Sequence, residues 1–108
     1  LDYKNLSPAR PDGITIDSEN GIWVAEVDGG YIRRYKPDGS LDASIQMPFK
    51  KPTSLMFGGP KLDILYVTSM RFGLLEEELV KSPLSGRLVA VRTGFKGLPN
   101  NQFNLILE

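Results

Sequence analysis

The residue best suited to chemistry in this chain is Asp12, which lies between Pro11 and Gly13. Apolar residues then alternate at Ile14 and Ile16, a period of two that predicts a strand over residues 13–17. Proline is tolerated at the start of a strand because it has no backbone donor to lose, and glycine allows a close backbone approach. A carboxylate in such a place can bind a metal ion or accept a proton from water.

Pro-Asp-Gly is also one of the commonest turn signals, and the chain holds a second copy at Pro37-Asp38-Gly39. The second copy joins two predicted strands, residues 31–35 and 41–47, so we interpret it as a turn without a site. On the pattern alone, Asp12 could be a turn residue of the same kind. Asp12 and Asp38 are therefore a matched pair for any test of function.

The composition excludes several kinds of site. The 108 residues include no cysteine and no histidine, which excludes disulfides, thiolate and histidine metal sites, and catalytic triads that need either residue. Chemistry must then use carboxylates, hydroxyls, amides, lysine or a metal bound by oxygens. With 13 basic and 13 acidic residues the net charge is zero, which argues against nucleic-acid and membrane-surface partners. No apolar run reaches the ~18–20 residues of a membrane span and no signal peptide is visible, so we expect a cytoplasmic location.

The first half of the chain predicts four short antiparallel strands. After residues 13–17, tight turns separate strands at Ile22–Val27, Tyr31–Tyr35 and residues 41–47. Because the connections are short and carry glycine, the strands form a meander and not a βαβ unit.

The pattern then restarts in the second half of the chain. Residues 52–57, 64–68 and 86–91 repeat the first three strands, with the offset growing from 41 to 56 residues. The growth comes from an insertion over residues 70–85, in which residues 74–81 are good helix formers and Pro83 ends the helix. A unit of four strands every ~40–50 residues is typical of β-propeller blades.

About two blades cannot close a ring, since propellers need at least about four. Alone, they would expose apolar faces. We therefore expect residues 1–108 to be the C-terminal part of a single propeller domain, completed by upstream blades from the same or a companion chain.

Several motifs, in order, resemble the regucalcin (senescence marker protein), gluconolactonase and luciferin-regenerating enzyme family. They are Pro11-Asp12-Gly13-Ile14-Thr15-Ile16-Asp17, Gly21-Ile22-Trp23-Val24-Ala25, Thr53-Ser54-Leu55-Met56-Phe57-Gly58-Gly59, Leu65-Tyr66-Val67-Thr68-Ser69 and the closing Gly94-Phe95-Lys96-Gly97. The resemblance implies an all-β, six-bladed propeller, of which this chain is roughly the last third. It also implies hydrolysis of a small lactone or ester with a divalent cation, calcium or zinc first, magnesium or manganese as alternatives.

Only one site residue of that family has a counterpart here. The aspartate of its Pro-Asp-Gly motif is a metal ligand and the proposed acid/base, and it matches Asp12. The family's other metal ligands and its substrate-binding residues lie upstream of Leu1. The resemblance thus implies that this chain supplies one catalytic and metal-binding aspartate.

Other candidates have simpler explanations. Glu76, Glu77 and Glu78 are adjacent on a predicted helix and do not share a face, so a solvated surface is expected rather than a metal cluster. Trp23, Tyr66 and Phe57 could stack on a sugar ring, but matched positions in the two repeats predict burial between blades.

Two other classes of function stay open. One is a non-catalytic calcium-binding or scaffold protein of the same fold, because fold does not fix function. The other is an interaction module that lends strands to a partner's sheet. Arg71, which follows the strand at residues 64–68, could lie at the channel mouth or anchor a loop.

Overall fold

The structure is a computed structural model, and it describes residues 9–99. Seven strands and one short helix follow in chain order. They are β1 (Arg10–Ile16), β2 (Ile22–Val27), β3 (Tyr31–Tyr35), β4 (Leu41–Gln46), β5 (Pro52–Gly58), β6 (Ile64–Ser69), α1 (Glu76–Lys81) and β7 (Val89–Arg92). No helix among these residues is long and apolar enough to cross a membrane.

The strands form two antiparallel meanders, as the turn pattern predicts. The first sheet has the order β1-β2-β3-β4, and the second has the order β5-β6-β7. The predicted pair of antiparallel four-strand units is thereby confirmed for the first unit, and three strands of the second unit lie within residues 9–99.

Three elements start at a residue other than the predicted one. β1 begins at Arg10 and not at residue 13, so Asp12 lies inside a paired strand. The third strand of the second repeat begins at Val89 and not at residue 86, because a turn occupies the preceding residues and Gly86 has φ of 87°. α1 begins at Glu76 and not at residue 74, since Leu75 is extended and its backbone N–H donates to Glu78.

The core lies between the two sheets. Its buried side chains are Trp23, Ala25 and Ile32 from the first sheet, Leu55, Phe57, Leu65 and Val67 from the second, and Met47 and Phe49 from the connection. Trp23 contacts Phe57 and Phe95 edge to face, with centroids 6.0 and 5.8 Å apart. The geometry is the favourable one for aromatic pairs.

The prediction that Trp23 and Tyr66 are both buried is right for Trp23 and wrong for Tyr66 within this structure. Tyr66 pairs with Met56 across β5 and β6, whereas the core residues of these strands are their neighbours. Since side chains alternate between the faces of a sheet, Tyr66 lies on the face of the second sheet away from the first. No described element packs on that face.

Candidate functional site

Asp12 occupies an irregularity at the start of β1. Pro11 pairs with Glu26 and Ile14 pairs with Val24, so the register shifts across the two residues between them. Such bulges re-aim a side chain and recur near functional sites. The bulge gives Asp12 an orientation that regular pairing would not.

Gly13 is the residue that lets β1 lie against β5. A β-carbon at position 13 would lie 2.6 Å from the Ser54 α-carbon and 2.8 Å from the Thr53 carbonyl oxygen. Both contacts are with backbone, which cannot move aside as a flexible side chain can. The Asp-Gly pair therefore combines a carboxylate with the close strand approach that positions it.

A cleft of about 290 Å³ opens at this end of the first sheet, and Asp12 lines it together with Arg10, Pro11, Val27 and Met70. Asp12 is exposed, and within residues 9–99 no group donates a hydrogen bond or forms an ion pair with its carboxylate. A carboxylate of this kind keeps its lone pairs for a ligand.

An ion-pair chain, which we call the wall, begins at the cleft: Arg10 lines the cleft, and Asp28 and Lys51 are linked to Arg10. Arg10 Nη2 lies 2.7 Å from Asp28 Oδ2, and Lys51 Nζ lies 3.0 Å from Asp28 Oδ1. The hydrogen bond from Lys51 is the main reason why the pKa of Asp28 is lowered, and Arg10 adds to it. Asp28 is thus ionised and already occupied on both oxygens.

The insertion of the second repeat begins at the same cleft. Met70 lines the cleft, and its backbone N–H donates to the Lys51 carbonyl at 3.1 Å. Further along, Lys50 Nζ lies 3.1 Å from Glu78 Oε2. Residues of both repeats therefore build the surroundings of Asp12.

The chemistry of the donor set fits part of a divalent cation site. Calcium takes 6–8 oxygens, and one carboxylate supplies one or two of them. Within residues 9–99, no three acidic residues cluster closely enough to hold a metal ion. Asp12 can serve as one ligand, whereas Asp28 cannot because Arg10 and Lys51 hold it. A full coordination shell needs groups beyond the described residues.

The look-alike aspartate, Asp38, is placed as a turn residue, as predicted. Its Oδ1 accepts hydrogen bonds from the Ser40 backbone N–H at 2.8 Å and from the Ser40 hydroxyl at 2.6 Å. The hydroxyl bond is the first cause of its lowered pKa. The carboxylate of Asp38 therefore satisfies its own turn.

The remaining candidates are not among the residues that line the cleft. None of the residues of α1 is buried, and Glu78 is engaged by Leu75 and Lys50, so the acidic run is a helix surface as expected. Trp23 and Phe57 are buried and cannot stack on a ligand. Arg71 is exposed, and its side chain lies against Gly86 within the insertion.

Sequence reasoning missed a buried cluster around Asp17, at the far end of β1. Asp17 accepts from Trp23 Nε1 at 2.8 Å and from Arg34 Nε at 2.7 Å, and the Arg34 guanidinium lies 4.0 Å from the Phe95 ring centroid. Burial by itself raises the pKa of Asp17, but the bonds from Arg34, Trp23 and the backbone outweigh it and lower the pKa. An aspartate at a turn after a strand gives no sign of such partners in the sequence; only the fold brings them together.

The wall of Arg10, Asp28 and Lys51 was missed as well. One signal could have found part of it: the hairpin pairing of β1 with β2 brings Arg10 opposite Val27, next to Asp28. The pairing of Lys51 with Asp28 cannot be predicted from strand register, because Lys51 lies in the connection between the sheets.

Comparison with known proteins assigns this arrangement to one family. The family model described as SMP-30/Gluconolactonase/LRE-like region matches residues 2–71. Among curated relatives, the 6-deoxy-6-sulfogluconolactonase of Pseudomonas putida is 44% identical over 96 residues, covering 89% of this chain and 33% of the relative. The regucalcin of Gallus gallus is 38% identical, covering 86% of this chain and 32% of the relative.

Solved structures agree with the sequence matches. A calcium-binding protein, regucalcin, from Agrobacterium tumefaciens superposes with a TM-score of 0.89 at 30% identity, over 96% of this chain and 35% of the other. A luciferin-regenerating enzyme superposes with a TM-score of 0.80 at 36% identity, over 95% of this chain and 34% of the other. The chain thus spans about a third of the length of the proteins it matches.

Proposed function

Because the chain belongs to the SMP-30/gluconolactonase/LRE-like family, we propose that the complete protein hydrolyses a lactone and that Asp12 is the group this chain supplies to the reaction. Relatives named lactonases make this a family of lactone hydrolases. The observation that carries the proposal is an exposed carboxylate, without a donor among residues 9–99, in a cleft of about 290 Å³.

The proposal requires further blades. Ile14 and Ile16 are exposed on the outer face of the first sheet, and Met56 and Tyr66 on the outer face of the second. Sheets of this kind need a neighbour on each face, and the matched relatives are three times as long. Upstream blades, from the same or a companion chain, would cover these faces and bring the missing ligands to the cleft.

Asp12 would hold a divalent cation through its carboxylate oxygens, with calcium or zinc favoured and magnesium or manganese as alternatives. When bound, such an ion polarises a carbonyl oxygen and lowers the pKa of water. Asp12 would accept one proton from a water molecule at a carboxylate oxygen. The water oxygen then adds to the lactone carbonyl carbon, the ring C–O bond breaks, and the alkoxide formed takes up the proton to give the hydroxy acid.

A second candidate is cation binding without turnover. One solved relative is described as a calcium-binding protein, and Asp12 could bind such a cation with no substrate. The two candidates share Asp12 and differ in whether lactone is consumed. The cytoplasmic location expected from the sequence stays a prediction under either.

The test compares two Pro-Asp-Gly motifs in the full-length protein. Asp12→Asn keeps the shape and one oxygen ligand but removes the charge and the basicity. We expect it to weaken binding of the added cation and to lower kcat on glucono-1,5-lactone by more than the ~10²–10⁴-fold that loss of a general base explains. Asp38→Asn removes a carboxylate that is also exposed and that only serves its turn, and should change neither quantity.

Equal lactonase rates and equal metal affinity in the wild type and Asp12→Asn would contradict the proposal. Weaker cation binding in Asp12→Asn, with no lactone turnover in the wild type, would favour the non-catalytic candidate. Equal losses in both variants would indicate damage to the fold, which circular dichroism of each variant would reveal.

A further inference from the structure

The wall beside Asp12 holds more positive than negative side chains. Arg10 and Lys51 share the single carboxylate of Asp28, at 2.7 and 3.0 Å. Two cations and one anion leave a net charge of +1 on this wall, and the Asp12 carboxylate, which lines the cleft together with Arg10, brings the sum to zero. In the proposed function Asp12 holds a divalent cation, and with that cation bound the cleft would carry an excess of positive charge where a substrate would enter.

The wall is held in place by backbone as well as by ion pairs. Asp28 has φ of 69°, a left-handed conformation that aspartate tolerates better than most residues. Lys51 is mostly buried, and its carbonyl accepts the N–H of Met70 at 3.1 Å. Asp28 and Lys51 are therefore fixed by the turn after β2 and by the start of the insertion, and Arg10 is oriented through Asp28.

Arg10 has donors to spare. A guanidinium offers five N–H donors in a planar fork, and within residues 9–99 Arg10 uses Nη2 on Asp28. Its side chain is 67% exposed. Because Lys51 already neutralises Asp28, the charge of Arg10 is only partly compensated. Arginine binds carboxylate, sulfonate and phosphate groups well because the fork matches their oxygens.

We propose that Arg10 forms an anion subsite and that the substrate is a lactone with a second, negatively charged group remote from the carbonyl. The inference rests on the proposed function, which places the lactone carbonyl at Asp12. Asp28 and Lys51 are positioning residues for Arg10. The anionic group pairs with the guanidinium while the lactone ring lies in the cleft against Met70 and Val27.

The experiment uses the full-length protein and three related lactones. These are glucono-1,5-lactone, its 6-phosphate, and the monolactone of glucaric acid, which carries a carboxylate. The readout is the ratio of kcat/KM for each anionic lactone to kcat/KM for the neutral one. Arg10→Gln should lower this ratio roughly tenfold, the effect of losing one charge-assisted hydrogen bond, and Arg10→Lys should restore part of it. The two anionic lactones show whether phosphate or carboxylate fits better.

Arg92→Gln is the matched control, because Arg92 is also an exposed arginine paired with one aspartate, Asp63, at 3.4 Å. It lies outside the cleft lining and should leave the ratio as in the wild type. A second readout is independent of turnover: calorimetric binding of 6-phosphoglucono-1,5-lactone to Asp12→Asn should weaken roughly tenfold when Arg10→Gln is added.

A wild-type ratio at or below one, or a ratio unchanged in Arg10→Gln, would overturn the anion subsite while leaving lactone hydrolysis intact. If no lactone is hydrolysed, the proposed function fails, and the binding measurement still decides the subsite: unaltered affinity in the double variant overturns it. A similar fall of the ratio in Arg92→Gln would also overturn the anion subsite, because loss of an exposed arginine outside the cleft would then have the same effect.

Discussion

Equivalent residues of the two repeats lie in opposite environments. Trp23 in β2 is 1% exposed, whereas Tyr66, its equivalent in β6, is 36% exposed. The first strands show the reverse: Ile14 in β1 is 65% exposed, and Leu55 in β5 is 4% exposed. The exposure of these residues thus depends on whether the other sheet packs on their face, and not on the residue type.

The cause is whether the other sheet packs on the face of the sheet from which the side chain projects. Trp23 points from the first sheet toward the second, and Leu55 points from the second toward the first, so each covers the other's sheet. Tyr66 and Ile14 lie on the two outer faces, where no described element packs. When sheets stack in a line, the outer faces of the first and last sheet stay uncovered. A closed ring of blades has no such end faces.

The same contrast separates two ion pairs. Asp17 and Arg34 in the first repeat lie 2.7 Å apart and are buried, whereas Asp63 and Arg92 in the second lie 3.4 Å apart, with Arg92 exposed and Asp63 partly exposed. Each pair joins the turn after a first strand to the third strand of its sheet. Residues 95–97 cover the first pair: Phe95 lies over Arg34, and the segment pairs with residue 17.

The bulged position of the first strand also differs. The offset of 41 residues matches Asp12 with Thr53, and both strands shift register just after their proline. Thr53 Oγ1 is bonded to Thr68 Oγ1 at 2.8 Å, while the carboxylate of Asp12 faces the cleft. At the same backbone irregularity, the side chain of the second repeat therefore bonds within its own sheet, whereas that of the first repeat is available to a ligand.

The largest expected effect is on Trp23. In the full-length protein, Trp23→Ala should lower the free energy of unfolding by ~3–5 kcal/mol, because it leaves a large cavity between the sheets. If a further blade covers the second sheet, Tyr66→Ala should cost a comparable amount there. Urea unfolding followed by circular dichroism measures both.

Two outcomes would break this account of the repeats. A loss below ~1 kcal/mol for Tyr66→Ala in the full-length protein would show that its face stays open. Residues 1–108 expressed alone should aggregate through the uncovered faces; a monomer with a cooperative melt would show that the two repeats need no neighbour.

A smaller difference is expected between the two ion pairs. Asp17→Ala leaves the buried Arg34 with Asp42, 2.8 Å away, as its remaining acidic partner. We expect a loss of ~3 kcal/mol, the lower end of the range for breaking a buried pair. Asp63→Ala removes an exposed pair and should change the free energy of unfolding by at most ~1 kcal/mol. Thermal melts of the two variants side by side make the comparison, and equal shifts would contradict it.

Gly13→Ser makes the first repeat resemble the second, which has Ser54 at the matching position. The new side chain meets the backbone of β5, so β1 must shift, at a cost of ~1–3 kcal/mol. Since Asp12 is the preceding residue, kcat/KM on glucono-1,5-lactone should also fall. Gly39→Ser is the control: a β-carbon there meets nothing within 4 Å, and only its φ of 88° is strained. It should lower stability by ~1–2 kcal/mol and leave kcat/KM unchanged.

Much of the fold could be predicted because turns and strand periods are local signals. The bounds of β2 and β3 are as predicted, and the repeat offset placed β5 and β6 within a residue. β7 begins later than expected because a turn around Gly86 mimics the start of a strand. Tyr66 was misplaced for a different reason: its burial depends on whether a sheet packs on its face, and no element within residues 9–99 does so.

The site was less accessible to prediction. Asp12 was identified by its motif and family resemblance, and its role in metal binding and catalysis stays a prediction. The Arg10–Asp28–Lys51 wall joins residues 18 and 23 positions apart in sequence, and long side chains of opposite charge have no period that reveals their pairing. The structure was needed to show which charges meet at the cleft.

The last expected effect is a pH dependence of stability that comes from the buried ion pair of the first repeat. The pKa of Asp17 is lowered in the folded protein, chiefly by Arg34 against the opposing effect of burial, so its contribution to stability is complete above the ordinary pKa of about 4. As the pH falls, the unfolded chain takes up a proton at this residue first, and the contribution is lost as the pH passes through the lower, folded pKa. A single group of this kind gives a slope of at most about 1.4 kcal/mol per pH unit. In urea titrations between pH 2.5 and 6, Asp17→Asn should flatten the slope below about pH 4. Equal slopes in the wild type and Asp17→Asn would contradict this coupling of the buried pair to folding.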